Sequence, residues 1–494
     1  MRSTAGIGVF FVCGAAIAQN AGFDRAPWLQ DFAALKQALE ARYSNLAWFA
    51  SPQSGVNLPA LNRRTLAALE AAESDEDARS ALLHFVASFH DGHFSQLATL
   101  SPPPGPLAEP PVRPTYTRQD SAGGCAALGY AIPNESAFSM PFESLPNFRL
   151  VSDGVSQPFR AGVLAAGNGA KLGFVRIPSF HTRLYLPLCL SAWTRDVWDE
   201  DGHLNRPAFN EAVTDAWYQE LAAVLQQFRS TGVTAVVADV GSNSGGDDSG
   251  DMSARLFTSR PLHSAPLWMA QNQAASGPYF DEQLGELRHA LELNPDAKAK
   301  EIVEQAIATW TAQKAKLAES VCPMSWVWRE QKSWPTDTCR RLVEAGTAGG
   351  PLGYLARGTV ADPKVAGLLN WPARFTPLWG TWTGPLYVLT NNKTYSSAEM
   401  FTAVLQNNQA AKIVGLPTGG DGCGFMTDPE PLELAHSHLR FRIPNCVRIR
   451  ADGTDEVAGV KPDLPILQYE GENARARAQR AVDAIAADAL NNGK

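Results

Sequence analysis

Three separated segments carry the side chains that could do chemistry: Phe89-His90-Asp91-Gly92-His93, Asp239-Val240-Gly241-Ser242-Asn243-Ser244-Gly245-Gly246, and residues 391–424. The third is the most informative. An apolar strand candidate ends at Thr390, a short polar loop follows, and a helix candidate opens at Ser396-Ser397-Ala398-Glu399. A serine at that junction sits where unpaired helix N–H groups and the positive end of the helix dipole can stabilise an oxyanion. The same residues have a plainer reading. Ser396-x-x-Glu399 is a capping box, and a capping serine needs no catalytic role. The G-x-S-x-G elbow of α/β-hydrolases does not occur. His436-Ser437-His438 has the spacing that puts two imidazoles on one face of a strand, as in a metal pair. No obvious carboxylate or thiol stands beside it, so no metal site is expected. Asp247, Asp248 and Asp251 read as an acidic loop.

Positioning these segments takes an alternation of strands and helices. Residues 172–177 read as a strand, and 211–228 as a helix with Ala216, Leu221, Val224 and Leu225 facing inward. Residues 233–240 are almost continuously apolar, as a strand buried on both faces should be. A second buried strand is predicted at 384–390 and a helix at 396–407. Such alternation implies a layered α/β core. Upstream, Trp28, Phe32, Leu35, Leu39 and Tyr43 form an amphipathic stripe, and 65–89 reads as a second helical segment. Pro102-Pro103-Pro104-Gly105-Pro106 breaks the pattern, and residues 115–165 show no assignable one. Residues 280–320 predict two helices, and 321–380 look irregular. The expected division is therefore 1–18 signal peptide, 19–100 helical N-terminal subdomain, 101–170 Pro-rich linker and irregular segment, 171–470 core with an insertion at 255–380, and 471–494 C-terminal helix.

The bulk properties narrow the function class. The 494 residues are 45% hydrophobic and 19% charged, the balance of a globular protein. A formal net charge of -8 argues against a nucleic-acid partner, which needs a basic face to displace counterions. No stretch approaches the eighteen or more apolar residues of a membrane span. Arg2, the apolar residues 7–16 and Ala16-Ile17-Ala18 before Gln19 read as a secretory signal, so a secreted or periplasmic location is expected. Loss of that segment takes Cys13 and leaves Cys125, Cys189, Cys322, Cys339, Cys423 and Cys446. An even count in an exported chain fits disulfides. Proximity pairs Cys322 with Cys339 and Cys423 with Cys446; free buried thiols are the alternative.

Several motifs together resemble a known family. Leu386 to Thr390, Lys393-Thr394-Tyr395-Ser396-Ser397-Ala398-Glu399-Met400-Phe401, Ala411-Lys412-Ile413-Val414-Gly415 and Thr418-Gly419-Gly420-Asp421-Gly422 are similar to the catalytic stretch of tail-specific (C-terminal-processing) serine peptidases. The family's nucleophile lies three residues before the Glu, which lands on Ser396. Asp239 to Gly246 resembles its D-x-R-x-N-x-G-G turn, with Gly241 where Arg is usual, and Gly459-Val460-Lys461-Pro462-Asp463 matches its G-V-x-P-D signature. The resemblance implies a crotonase-like spiral core with the helical subdomain and insertion appended. It implies an oxyanion hole from Gly245, Gly246 and Ser397. No glycine-patterned PDZ segment is evident between His93 and Lys171.

One departure bears on mechanism. Family members that use a Ser–Lys dyad place the lysine where this chain has Asp421, whose charge is opposite and whose reference pKa is about 3.9. The tricorn-core-like branch uses instead a histidine from the N-terminal part and a glutamate just before G-V-x-P-D. Those positions correspond to His93 and Glu456. His93 would take the serine proton, and Glu456 would orient the imidazole, directly or through another polar side chain. On this reading His93→Ala costs most activity, Glu456→Gln less and Asp421→Ala least. The expected function is a secreted serine peptidase acting on a peptide or protein substrate through an acyl-serine, with no cofactor. A serine esterase on the same triad and a catalytically inactive ligand-binding homologue are the alternatives.

Overall fold

A computed structural model describes residues 23–98, 116–132, 136–167, 169–319, 322–336 and 338–491. The signal reading and the Pro102–Pro106 stretch lie outside the described residues. The centre of the molecule is a seven-stranded sheet of β1 Phe148–Asp153, β2 Arg160–Ala165, β3 Lys171–Arg176, β4 Ala235–Asp239, β5 Leu386–Thr390, β6 Lys412–Gly415 and β7 Leu464–Pro465. The strands lie side by side in chain order, β1 to β3 antiparallel and β3 to β7 parallel. β4 and β5 are buried at every position, which is why their sequences run apolar without alternation.

Helices cover both faces. In the N-terminal part α1 is Ala26–Arg42, α2 Leu58–Ala71 and α3 Asp75–Ala87; α4 is Arg206–Ser230; the insertion holds α5 Gln273–Glu292 and α6 Ala297–Ala315; α7 is Ser397–Asn407 and α8 Ala474–Asn491. α4 packs Phe209, Val213, Trp217, Leu221 and Phe228 into one core with Val236 and Val388. α8 lays Ala478, Ala481, Val482 and Ile485 against Phe174, Val237 and Leu389 on the opposite face. The mixed α/β architecture expected from the alternation is present.

Three readings change. Segment 65–89 is two helices, because Ser74 caps α3 by accepting from the Asp77 amide at 3.2 Å and an acidic first turn follows. Residues 148–165, expected in the irregular stretch, form the β1–β2 hairpin that extends the sheet; Gly154 makes its turn in the left-handed region (φ 71). The insertion is also more regular than expected. Its Pro266–Ala270 and Leu342–Thr347 strands pair with each other, and the former pairs with Cys446–Arg448.

The N-terminal part is tied to the core rather than tethered to it. The strand Ser95–Leu97, two residues past His93, pairs with Arg440–Arg442. Phe85, Phe89 and Phe94 share one apolar cluster with Val327, Leu439, Phe441 and Val457. His93 is thereby delivered to the turn after β6, 328 residues away in sequence.

Three disulfides close: Cys125–Cys189, Cys322–Cys339 and Cys423–Cys446. The third joins the loop after β6 to the strand Cys446–Arg448 across a separation of 23 residues. Non-reducing peptide mapping should recover all three linked peptides. Replacing Cys423 and Cys446 together by Ala should cost about 3 kcal/mol in urea unfolding, the chain-entropy value for such a loop. Quantitative alkylation of Cys423 and Cys446 in the native protein would contradict the third pair.

Candidate active site

Ser396 is the residue at which β5's connection enters α7, and its backbone is strained. Its φ is 53° and ψ -117°, a region that side-chain-bearing residues avoid. Such a conformation costs about 1–3 kcal/mol and persists only when the surroundings over-determine it. Two carboxyl groups do so here. The Ser396 amide donates to Asp421 Oδ1 at 2.8 Å and to Glu399 Oε2 at 3.1 Å. The side chain of Ser396 is left half-exposed at the surface while both supports are buried.

Glu399 is the anchor of the whole turn. Its Oε1 accepts from Thr418 Oγ1 at 2.6 Å and the Gly420 amide at 2.8 Å; its Oε2 accepts from the Asp421 and Gly422 amides at 3.1 Å each. Burial and the neighbouring Asp421 push the Glu399 carboxyl well above the usual carboxylate range. Burial raises Asp421 to about 6, opposed by hydrogen bonding from Glu399. Both carboxyls are thus held above the usual carboxylate range, chiefly by burial.

His93 meets this turn from the other side. Its Nδ1 lies 2.8 Å from the Asp421 backbone carbonyl and 3.7 Å from Asp421 Oδ2. A carbonyl accepts only, so Nδ1 carries a proton and Nε2 is left as the basic nitrogen. Gly424 gives the ring its place: a Cβ there would come within 2.6 Å of the imidazole. Asp91 fixes the loop, accepting from the His93 amide at 2.9 Å and from the Tyr43 hydroxyl at 2.7 Å. No hydrogen bond joins His93 to Ser396 among the described residues, though both stand on Asp421.

The sequence expectation for Glu456 is that it orients His93 directly or through another polar side chain. Glu456 is fully buried, and both its oxygens are held by Arg448, at 3.0 Å from Nε and at 2.6 Å from Nη2 to Oε1. It makes no hydrogen bond to His93. Arg448 Nη2 also donates to the Gly422 carbonyl at 3.0 Å, so Glu456 reaches the site through the same turn that holds Asp421. Nothing in the Cys446-Val447-Arg448 sequence marks Arg448 for this role.

The three amides expected to line the oxyanion hole separate into used and unused. Gly245 N donates to Asn243 Oδ1 at 2.8 Å, and Asn243 Nδ2 donates to the Ile177 carbonyl at 2.9 Å. Gly245 is thus a packing residue: a Cβ there would lie 2.7 Å from Ser396 Cβ. The amides of Gly246 and Ser397 donate to no acceptor among the described residues. Gly246 lies so close to Phe180 that a Cβ would stand 2.2 Å from its carbonyl carbon. The Ser397 hydroxyl donates to the Asp247 carbonyl, which braces the loop after β4 against α7.

Gly241, at the usual Arg position, faces Ser139, whose hydroxyl would be 2.4 Å from a Cβ there. Ser139 caps Asp239 through its amide and hydroxyl, both at 2.6 Å, and the buried Arg176 supplies the guanidinium, 3.4 Å from Asp239 Oδ1. Other candidates are taken elsewhere. Lys412 pairs with Asp488 of α8 at 2.6 Å, and His438 Nδ1 lies 3.3 Å from Glu433. The His436 and Ser437 amides donate to Asp31, so this segment is a turn. Asp251 pairs with Arg255, and no cluster of three or more metal-ligating side chains occurs among the described residues.

The Arg448–Glu456 pair generates a stability prediction. Arg448→Met strands a buried carboxylate and should cost about 3–5 kcal/mol in urea unfolding, whereas Arg448→Met with Glu456→Leu should recover most of that loss. A double variant no more stable than Arg448→Met alone would show that the pair is not what Arg448 contributes.

The fold agrees with comparison to known proteins. The chain is similar over 95% of its length to mature CPAF complexed with lactacystin, covering 99% of that chain at 15% identity with a TM-score of 0.55. Mature CPAF alone gives 14% identity over 95% of this chain and 98% of that one, with a TM-score of 0.51. A photosystem II D1 C-terminal processing protease aligns over 92% of this chain and 97% of that one at 12% identity and a TM-score of 0.32. No curated protein matches. Residues 171–466, more than half of the chain, match the sequence pattern of peptidase family S41. That span contains β3 to β7, Ser396 and the turn it stands on, and the chain belongs to peptidase family S41.

Proposed function

We propose that the protein is an exported serine peptidase in which Ser396 is the nucleophile and His93 the general base. The observation that carries the reading is the strained Ser396 backbone, held by two buried carboxyl groups beside two unused amides. The Ser396 hydroxyl gives its proton to His93 Nε2 as its oxygen adds to the substrate carbonyl carbon. The carbonyl oxygen becomes an oxyanion facing the Gly246 and Ser397 amides at the positive end of α7. The tetrahedral adduct collapses, the imidazolium hands its proton to the leaving amine, and an acyl-serine remains. Water, deprotonated by the same imidazole, then releases the acid and regenerates Ser396. Glu456 contributes through Arg448 by holding the Gly422 carbonyl.

Family membership supports peptide bonds as substrate, and the three disulfides support an oxidising compartment. A fluorophosphonate should label Ser396 covalently, and Ser396→Ala should abolish labelling with an unchanged melting temperature. His93→Ala should slow labelling by several orders of magnitude, as loss of a triad member does. A label that maps to another residue, or that persists in Ser396→Ala, defeats the assignment. Cleavage of ester but not peptide libraries by the labelled enzyme would favour the esterase alternative.

A further inference from the structure

We propose that Asp421, not Glu456, is the carboxylate that positions His93 and balances its charge during the reaction. This rests on the reading of Ser396 and His93 above and deepens it. Asp421 touches both reacting residues: Oδ1 accepts from the Ser396 amide at 2.8 Å, the backbone carbonyl accepts from His93 Nδ1 at 2.8 Å, and Oδ2 stands 3.7 Å from the same nitrogen. Glu456 has no such access, because both its oxygens are committed to Arg448.

The local packing favours this geometry. A Cβ at Gly92 would come within 2.9 Å of Asp421 Oδ2, so a glycine there lets the carboxylate lie against the histidine loop. Opposite, Gly424 lets the imidazole approach the turn from its other face. The charged and titratable groups facing Asp421 are His93 and Asp91 from the histidine loop, Glu399 from α7, and Arg448 from the strand Cys446–Arg448. Asp421 Oδ2, 3.7 Å from Nδ1, is the carboxyl oxygen that faces the ring. When His93 takes the serine proton, the new positive charge develops beside that oxygen; ionised Asp421 lowers the energy of this state, as a triad carboxylate does. The position that supplies a lysine base in Ser–Lys family members supplies here the partner of a histidine base.

The sign of the pH effect follows. Asp421 must be ionised, and burial sets its ionisation near 6, so reactivity falls as Asp421 is protonated below that pH. His93 must be neutral as well, which makes two protonations on the acid limb. The test is the rate of fluorophosphonate inactivation of the full exported protein, resolved into maximal rate and half-saturating concentration, from about pH 4.5 to 9. Asp421→Asn keeps an acceptor for the Ser396 amide and the backbone carbonyl for Nδ1, and removes only the charge. It should lower the maximal rate at least about a hundred-fold with little change in half-saturation, and its acid limb should fall with one proton rather than two. Asp421→Ser, smaller and uncharged, serves the same purpose should Asn not fold. Glu456→Gln should lower the melting temperature and leave the acid limb of wild type. A wild-type rate and two-proton limb in a folded Asp421→Asn, or loss of one proton from the limb in Glu456→Gln, overturns the inference while Ser396 labelling stands. Absence of Ser396 labelling in the wild type overturns the underlying reading, and the inference with it.

Discussion

The site depends on one buried carboxyl group. Glu399 has no solvent exposure and gathers five donors: the Ser396 amide on its own helix, and Thr418, Gly420, Asp421 and Gly422 from the turn that follows β6. Each unmade hydrogen bond to a buried group costs about 1–3 kcal/mol, so this convergence fixes the turn against the start of α7. Everything else is reached through that turn. Gly422 presents its carbonyl to Arg448, Asp421 presents its carbonyl to His93, and Cys423 forms the disulfide to Cys446.

Charge sets a second constraint. Glu399, Asp421, Asp91, Asp455 and Glu456 are all buried around the turn, and Arg448 is the guanidinium placed among them. Burial raises Asp91, and raises Asp455 well above its usual range; like-charge neighbours add to the shift at Asp455. Burial also raises Glu399 well above its usual range, and Asp421 beside it adds to the shift. Arg448 in turn is affordable only because Glu456 meets it with both oxygens, since an unpaired guanidinium at that depth would be costly.

The legible parts of the sequence were those with local causes. β3, β4, β5, α4 and α7 announce themselves through apolar runs and periodicity, and the motif spacing singles out Ser396, His93 and the Gly245-Gly246 turn, of which Ser396 and His93 meet on Asp421 and Gly245 packs on Ser396. Contacts that depend on tertiary approach were not legible. Gly241 and Ser139 are 102 residues apart, and nothing near either indicates that one fills the space beside the other. The β1–β2 hairpin is hidden because Phe148–Asp153 has no clean alternation and the four-residue buried run of Arg160–Ala165 opens on Ala161 and Gly162, weak strand formers. The position of Glu456 before a signature points to it, but its partner is Arg448, eight residues earlier on a strand of a different sheet.

The capping-box reading of Ser396 and the nucleophile reading need not compete. A capping box satisfies helix-end amides, and here the glutamate half does so by accepting from the Ser396 amide. That same bond, with the one from Asp421, holds Ser396 at positive φ, where a serine would not remain by its own preference. The strain places the side chain at the surface, at the amino end of α7 and beside the free Gly246 and Ser397 amides. A serine that only capped the helix would need neither the positive φ nor a second carboxylate on its amide. The plain structural device therefore holds Ser396 in its unusual backbone conformation, and residue 421 links that turn to the imidazole.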